Sequence, residues 1–136
     1  MGRRVTYTKD TDASAELSSD ALLTAVKAFL MDCAAPNLEG RHRFNARVAA
    51  NVLGIIQREH TIGPTLKALD EDALRHWLPE SGPNEPAQQL SRALADGRIT
   101  PDDRFFDYLK ARQLLVSAIN NPRYASRAIA EERWGA

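Results

Sequence analysis

The chain has 136 residues, 43% hydrophobic and 26% charged, and its 18 basic and 18 acidic side chains cancel to a formal net charge of zero. Such values fit one globular domain that buries about two-thirds of its unfolded surface, and they exclude wholesale disorder. The balance gives no general pull towards nucleic acid or an anionic membrane, the single Cys33 excludes an internal disulfide, and no apolar run approaches the ~18 residues of a membrane span.

Residues 1–18 are polar and aperiodic and lack the apolar centre of a signal peptide, so a flexible N-terminal arm and a cytoplasmic location are expected. Ser18 or Ser19 can cap a first helix, with Asp20 in its first turn. Leu22, Val26, Phe29, Leu30 and Cys33 then form one amphipathic stripe, and Pro36 is expected to stop it. A second helix is expected from about Gly40 to His60. At 100° per residue, Phe44, Val48, Ala49, Val52, Leu53, Ile55 and Ile56 fall in one half of its wheel. Gly63-Pro64 reads as a break, followed by one or two short helices in which Asp70 is a candidate cap.

The stretch 79–86 holds three prolines and reads as a loop; Asn84 is a candidate cap for the next helix and Gly97 its stop. Thr100-Pro101-Asp102-Asp103 signals a helix start, and Asn121-Pro122 its end. The helical domain is expected over 19–124, with 125–136 a tail that can form a last short helix. Strand alternation is nearly absent, so the predicted fold is an all-α, single-domain bundle of four to six helices. Phe29, Phe44, Val48, Val52, Ile56, Leu109 and Val116 are expected in its core.

Few residues offer chemistry. His42, His60 and His76 have no metal-ligand spacing, and Cys33 lies on an apolar stripe without a basic neighbour to activate it. Neither a nucleophile elbow nor a phosphate-binding glycine loop is present. The residues therefore predict no catalytic group, no metal, no cofactor and no enzyme.

Two features of the second helix stand out. Arg43, Arg47, Asn51 and Arg58 share the half opposite its apolar stripe, with Gly54 as a notch, and guanidinium forks suit carboxylates and phosphates. This face is a candidate for a partner or ligand, set against the plainer reading of a solvated polar face. Arg41, Asn45 and Glu59 fall inside the apolar half, and Arg112 lies on the apolar stripe of the later helix. A buried charge must be paired. A polar cluster of Glu39, Arg41, Asn45, Glu59 and Arg112 is therefore expected, with Arg112 bonded to Glu59 or Glu39. It is either a structural ion-pair cluster or the floor of a pocket.

Three stretches carry a resemblance: Leu22-Leu-Thr-Ala-Val-Lys-Ala-Phe-Leu, Leu38-Glu-Gly-Arg-His-Arg-Phe-Asn-Ala-Arg-Val-Ala-Ala-Asn, and Asn121-Pro-Arg-Tyr124. In this order they resemble a bacterial family of small helical proteins of unknown function, over about Ala21 to Tyr124. Its members are encoded beside aminoglycoside-phosphotransferase-like kinases and acyl-CoA dehydrogenases. The family is similar to the small accessory subunit of a hydroxyacyl-CoA kinase of levulinate-type catabolism. The resemblance implies a non-catalytic partner of a kinase-fold protein and assigns no site residues. The competing expectation is a small-molecule binding protein for a phosphorylated or CoA-type ligand.

Overall fold

The computed structural model describes residues 17–135, and the arm expected over residues 1–16 lies outside them. Among the described residues the fold is all-α, with five helices and no strand. Helix α1 covers residues 19–37 as three continuous stretches: α-helical Ser19–Ala28, π-helical Phe29–Ala34 and a closing turn Ala35–Asn37. Helix α2 is Gly40–Trp77, α3 is Pro86–Ala95, α4 is Asp103–Asn120 and α5 is Ala125–Trp134. The described residues form two compact units, one up to Ala50 and one from Asn51.

In the first unit Ser18 caps α1 by accepting the Ala21 backbone N–H at 3.2 Å, and Asp20 lies in the first turn, as expected. Pro36 does not cut the helix short but sits inside its closing turn, and the backbone becomes extended at Leu38. Two side chains satisfy the carbonyls left over at this end. Asn37 donates to the Cys33 carbonyl at 2.7 Å, and Arg43 Nε donates to the Ala35 and Leu38 carbonyls at 3.1 and 2.7 Å.

Helix α2 departs most from expectation. It runs through Gly63-Pro64 without ending, so the short helices expected over 65–78 are its continuation. One proline removes one hydrogen bond and costs about 3 kcal/mol, which the packing of the following four turns offsets. Its facing also differs. Ala46, Ala50 and Gly54 are buried, whereas Phe44, Val48 and Val52 are exposed, Phe44 at 65%. The helix has two apolar sides, and the one with small side chains lies inward, where a neighbour can approach its axis closely.

The core of the second unit forms from Ala73 and Leu74 of α2, Leu90 and Ala93 of α3, Ile99, and Phe105 and Tyr108 of α4, with Leu69, Trp77 and Leu78 against it. Trp77 meets Phe105 edge-on at 5.0 Å, and Phe105 meets Tyr108 at 5.7 Å, a geometry favoured by the ring quadrupoles. Of the side chains expected in the core, Phe29, Phe44, Val48, Val52 and Leu109 are exposed, and Ile56 and Val116 are half-buried.

Caps set the remaining elements. Helix α3 starts after Glu85, not Asn84, with Pro86 in its first turn and no side-chain cap. Glu85 takes a left-handed conformation (φ 47°), uncommon for a residue with a Cβ. Gly97 ends α3 as expected. With φ 74° it closes a Schellman motif, in which the Arg98 N–H donates to the Ala93 carbonyl and the Gly97 N–H to that of Leu94. Helix α4 begins two residues after the expected Thr100-Pro101. Asp102 is its cap, accepting the Phe105 N–H at 2.8 Å, because a carboxylate in that position satisfies an orphan donor directly.

Candidate functional site

Helix α2 carries the expected arginine face, but its members differ in what they do. Arg43 holds the end of α1, as described above. Arg58 Nε donates to the Ile119 carbonyl at 2.7 Å, in the last turn of α4, where a cation also complements the helix dipole. Both are half-buried fasteners of helix ends. Arg47 and Asn51 are exposed, and so is Arg41. From Gly40 to Gln57 the chain contains no aspartate or glutamate. On this basic stretch Phe44 and Val48 stand in solvent. Leu22, Val26 and Phe29 of α1 are also exposed, Phe29 at 59%.

The residues of the expected cluster divide between the two units, Glu39, Arg41 and Asn45 in the first and Glu59 and Arg112 in the second. Glu39, Arg41, Asn45 and Glu59 are all exposed, so solvent meets the need that a buried position would have placed on a partner. Arg112 does form an ion pair inside the second unit, but with Asp70: its Nε donates to Asp70 Oδ1 at 3.0 Å. The Tyr108 hydroxyl donates to the same oxygen at 2.7 Å. Asp70 is 6% exposed, so both bonds act in a medium of low polarity. Burial, followed by the hydrogen bond to Asp70, raises the Tyr108 pKa well above its ordinary value of 10.

Asp70 was expected to cap a short helix, and Tyr108 carried no signal taken alone. The signal was joint. If α2 is continued through Pro64, Asp70 lies one turn before Leu74 on the side that faces the core. On α4, Tyr108 and Arg112 are four residues apart, the spacing of neighbours on one helix face.

Two clefts open beside this centre. One, of about 480 Å³, is lined by Gly63, Leu66, Lys67, Asp70 and Glu85, together with the first turn of α3 and Arg112. The second, of about 300 Å³, has a floor of Leu90, Phe105 and Tyr108 and a rim that includes Leu94 and Leu109. Both share Ala87, Gln88 and Arg112. The Gln88 amide lies 2.9 Å from the Glu85 carboxylate and donates to it when its nitrogen is turned that way. Lys67 stands 3.8 Å from Glu71, a loose and largely exposed pair worth little energetically. Among the described residues no group of histidine, cysteine or acidic side chains is arranged to hold a metal ion, and no helix is long and apolar enough to cross a membrane.

A family described as a domain of unknown function (DUF6285) matches residues 36–124, from the closing turn of α1 to the residue before α5. No curated protein and no solved structure matches the chain.

Proposed function

The chain belongs to the DUF6285 family, and from that premise we propose that it is a non-catalytic accessory subunit that docks on a kinase-fold protein. One observation carries the reading. Phe44 and Val48 are exposed on a helix whose stretch from Gly40 to Gln57 has arginines and no acid. Large apolar side chains beside exposed guanidinium groups are the composition of interface anchors, and here they lie inside the segment that the family shares. Arg41 and Arg47 supply the polar rim. The resemblance to the accessory subunit of a hydroxyacyl-CoA kinase supplies the partner class: an aminoglycoside-phosphotransferase-like kinase acting on hydroxyacyl-CoA substrates in the cytoplasm.

The competing reading, a phosphorylated or CoA-type ligand gripped by Arg43, Arg47 and Arg58, is the weaker of the two. Arg43 and Arg58 are half-buried and hold helix ends through Nε, so Arg47 is the one exposed cation of that trio.

The test is reconstitution. The purified chain alone is expected to show no kinase or transferase turnover. Added to a purified kinase of this class, it is expected to raise the rate of ATP-dependent phosphorylation of hydroxyacyl-CoA or the yield of soluble kinase. Val48→Glu is expected to remove that effect without unfolding the chain. Turnover by the isolated chain, or a kinase indifferent to its presence, contradicts the proposal.

A further inference from the structure

The twin clefts of the second unit lie outside the docking face proposed above and have a chemistry of their own. Each falls within or near the usual size range of small-molecule sites, about 300–1,000 Å³. Their walls differ. The larger carries four charged groups, Lys67, Asp70, Glu85 and Arg112. The smaller is mostly apolar, with buried aromatic and leucine side chains beneath it.

Of the nearby acids, Asp70 is engaged by Arg112 and Tyr108, Glu85 lies within reach of the Gln88 amide once that group is turned, and Glu71 stands beside Lys67. The Asp70 bond uses Nε of Arg112, so its two terminal nitrogens remain for a second anion, in a side chain whose orientation a buried carboxylate fixes. Lys67 adds a second cation on the same wall. The first turn of α3, which lacks a side-chain cap, adds the positive end of a helix dipole. Arg112 also borders the apolar cleft, so one molecule can lay a charged head on one side of it and a hydrocarbon on the other.

We propose that these joined clefts bind a small amphipathic anion, with its carboxylate or phosphate head on Arg112 and Lys67 and its hydrocarbon chain over Leu90, Phe105 and Leu109 between the rims of α3 and α4. The head takes the guanidinium N–H groups that the Asp70 bond leaves, and the chain covers Leu94 and Leu109, which are exposed at the rim of the apolar cleft.

Trp77 reports on the site, since it packs edge-on against Phe105. In a Trp134→Phe background, Trp77 fluorescence is followed while the full chain is titrated, below micellar concentrations, with decanoate, decyl phosphate, decanol and decylamine. Decanoate or decyl phosphate is expected to give a saturable change at a concentration at least about tenfold below decanol and decylamine, since one charge-assisted bond contributes a tenfold factor or more. Whichever of the two anions binds more tightly identifies the head. Lys67→Gln is expected to weaken the preferred anion by about tenfold. Leu94→Glu, at an exposed rim position, is expected to abolish binding. The double variant Asp70→Asn/Arg112→Gln removes both charges of the buried pair, and the anion is expected to lose its advantage over decanol. Circular dichroism checks the fold of each variant. Absence of saturable binding by either anion, equal binding of decylamine, or unchanged binding in Lys67→Gln and Leu94→Glu overturns the proposal. None of these outcomes touches the docking face on α2, which the kinase reconstitution tests separately.

Discussion

Replacing Asp70 by Ala leaves the Arg112 guanidinium and the Tyr108 hydroxyl without their shared acceptor. The expected loss is about 2–4 kcal/mol, read from urea midpoints, because one bond is charge-assisted and the carboxylate is buried. Tyr108→Phe removes the neutral donor alone and is expected to cost about 1–2 kcal/mol at pH 7. That difference has a pH signature. The folded state holds the Tyr108 proton more tightly than the unfolded chain, so unfolding releases a proton once the pH passes 10, and stability falls as the pH rises. The contribution is complete below pH 10 and declines above it. The gap between wild type and Tyr108→Phe in denaturation is therefore expected to narrow between about pH 10 and 12; a gap constant across that range contradicts the assignment. The sequence announced that Arg112 needs an acceptor, because its charge is permanent and its helix face apolar. It did not announce which acid, because that depended on whether α2 continued past Pro64.

Backbone conformation, more than composition, decided where the elements begin and end. Gly97 and Glu85 both occupy left-handed regions, yet only one is a glycine. Gly97→Ala is expected to destabilise by about 1 kcal/mol, wholly through its φ, since a Cβ there meets no atom within 4 Å. Glu85→Gly is expected to stabilise by up to about 1 kcal/mol for the converse reason. Thermal melts of the two should move in opposite directions. Pro64→Ala restores a helix donor in an exposed position of α2 and is expected to raise stability by about 1–3 kcal/mol. A fall would mean that the ring itself is part of the packing. Helix existence was legible from apolar spacing, although the caps of α3 and α4 differed from expectation and α3 and α5 carry no side-chain cap. The inward side of α2 was not. A wheel weighted by side-chain size selects Phe44, Val48 and Val52, whereas close packing selects Ala46, Ala50 and Gly54.

At the scale of the whole molecule, all-helical architecture followed from the 3.6-residue period and the lack of alternation, and the structure agrees. The division at Ala50 left no mark in the sequence, since it falls within one unbroken helix and no linker composition accompanies it. A consequence is that apolar substitutions should divide by place. Phe105→Ala, in the middle of the aromatic cluster, is expected to cost about 3–5 kcal/mol. Phe44→Ala is expected to change stability by no more than about 0.5 kcal/mol, as surface substitutions do. Equal losses in chemical denaturation would show that Phe44 is covered in the folded chain. The basic face of α2 was legible in the sequence, but not which of its arginines remain outward. That was decided by which helix ends lacked donors for their carbonyls.

The π-helical stretch Phe29–Ala34 has a bearing on how α1 faces its surroundings. A wide turn holds one residue more than an α-turn, and one residue is worth about 100° of rotation about the axis. The stretch thus acts as a phase shifter: it sets the angle at which Leu22 and Val26 project relative to the closing turn that Asn37 and Arg43 hold in place. Deleting one residue within Phe29–Ala34 should restore a regular helix at little cost in helicity, yet swing Leu22 and Val26 about a quarter turn around the rod. A chain altered in this way would keep its circular dichroism and change which side of α1 carries Leu22 and Val26, so a length change of one residue reorients an apolar stripe without changing any residue in it.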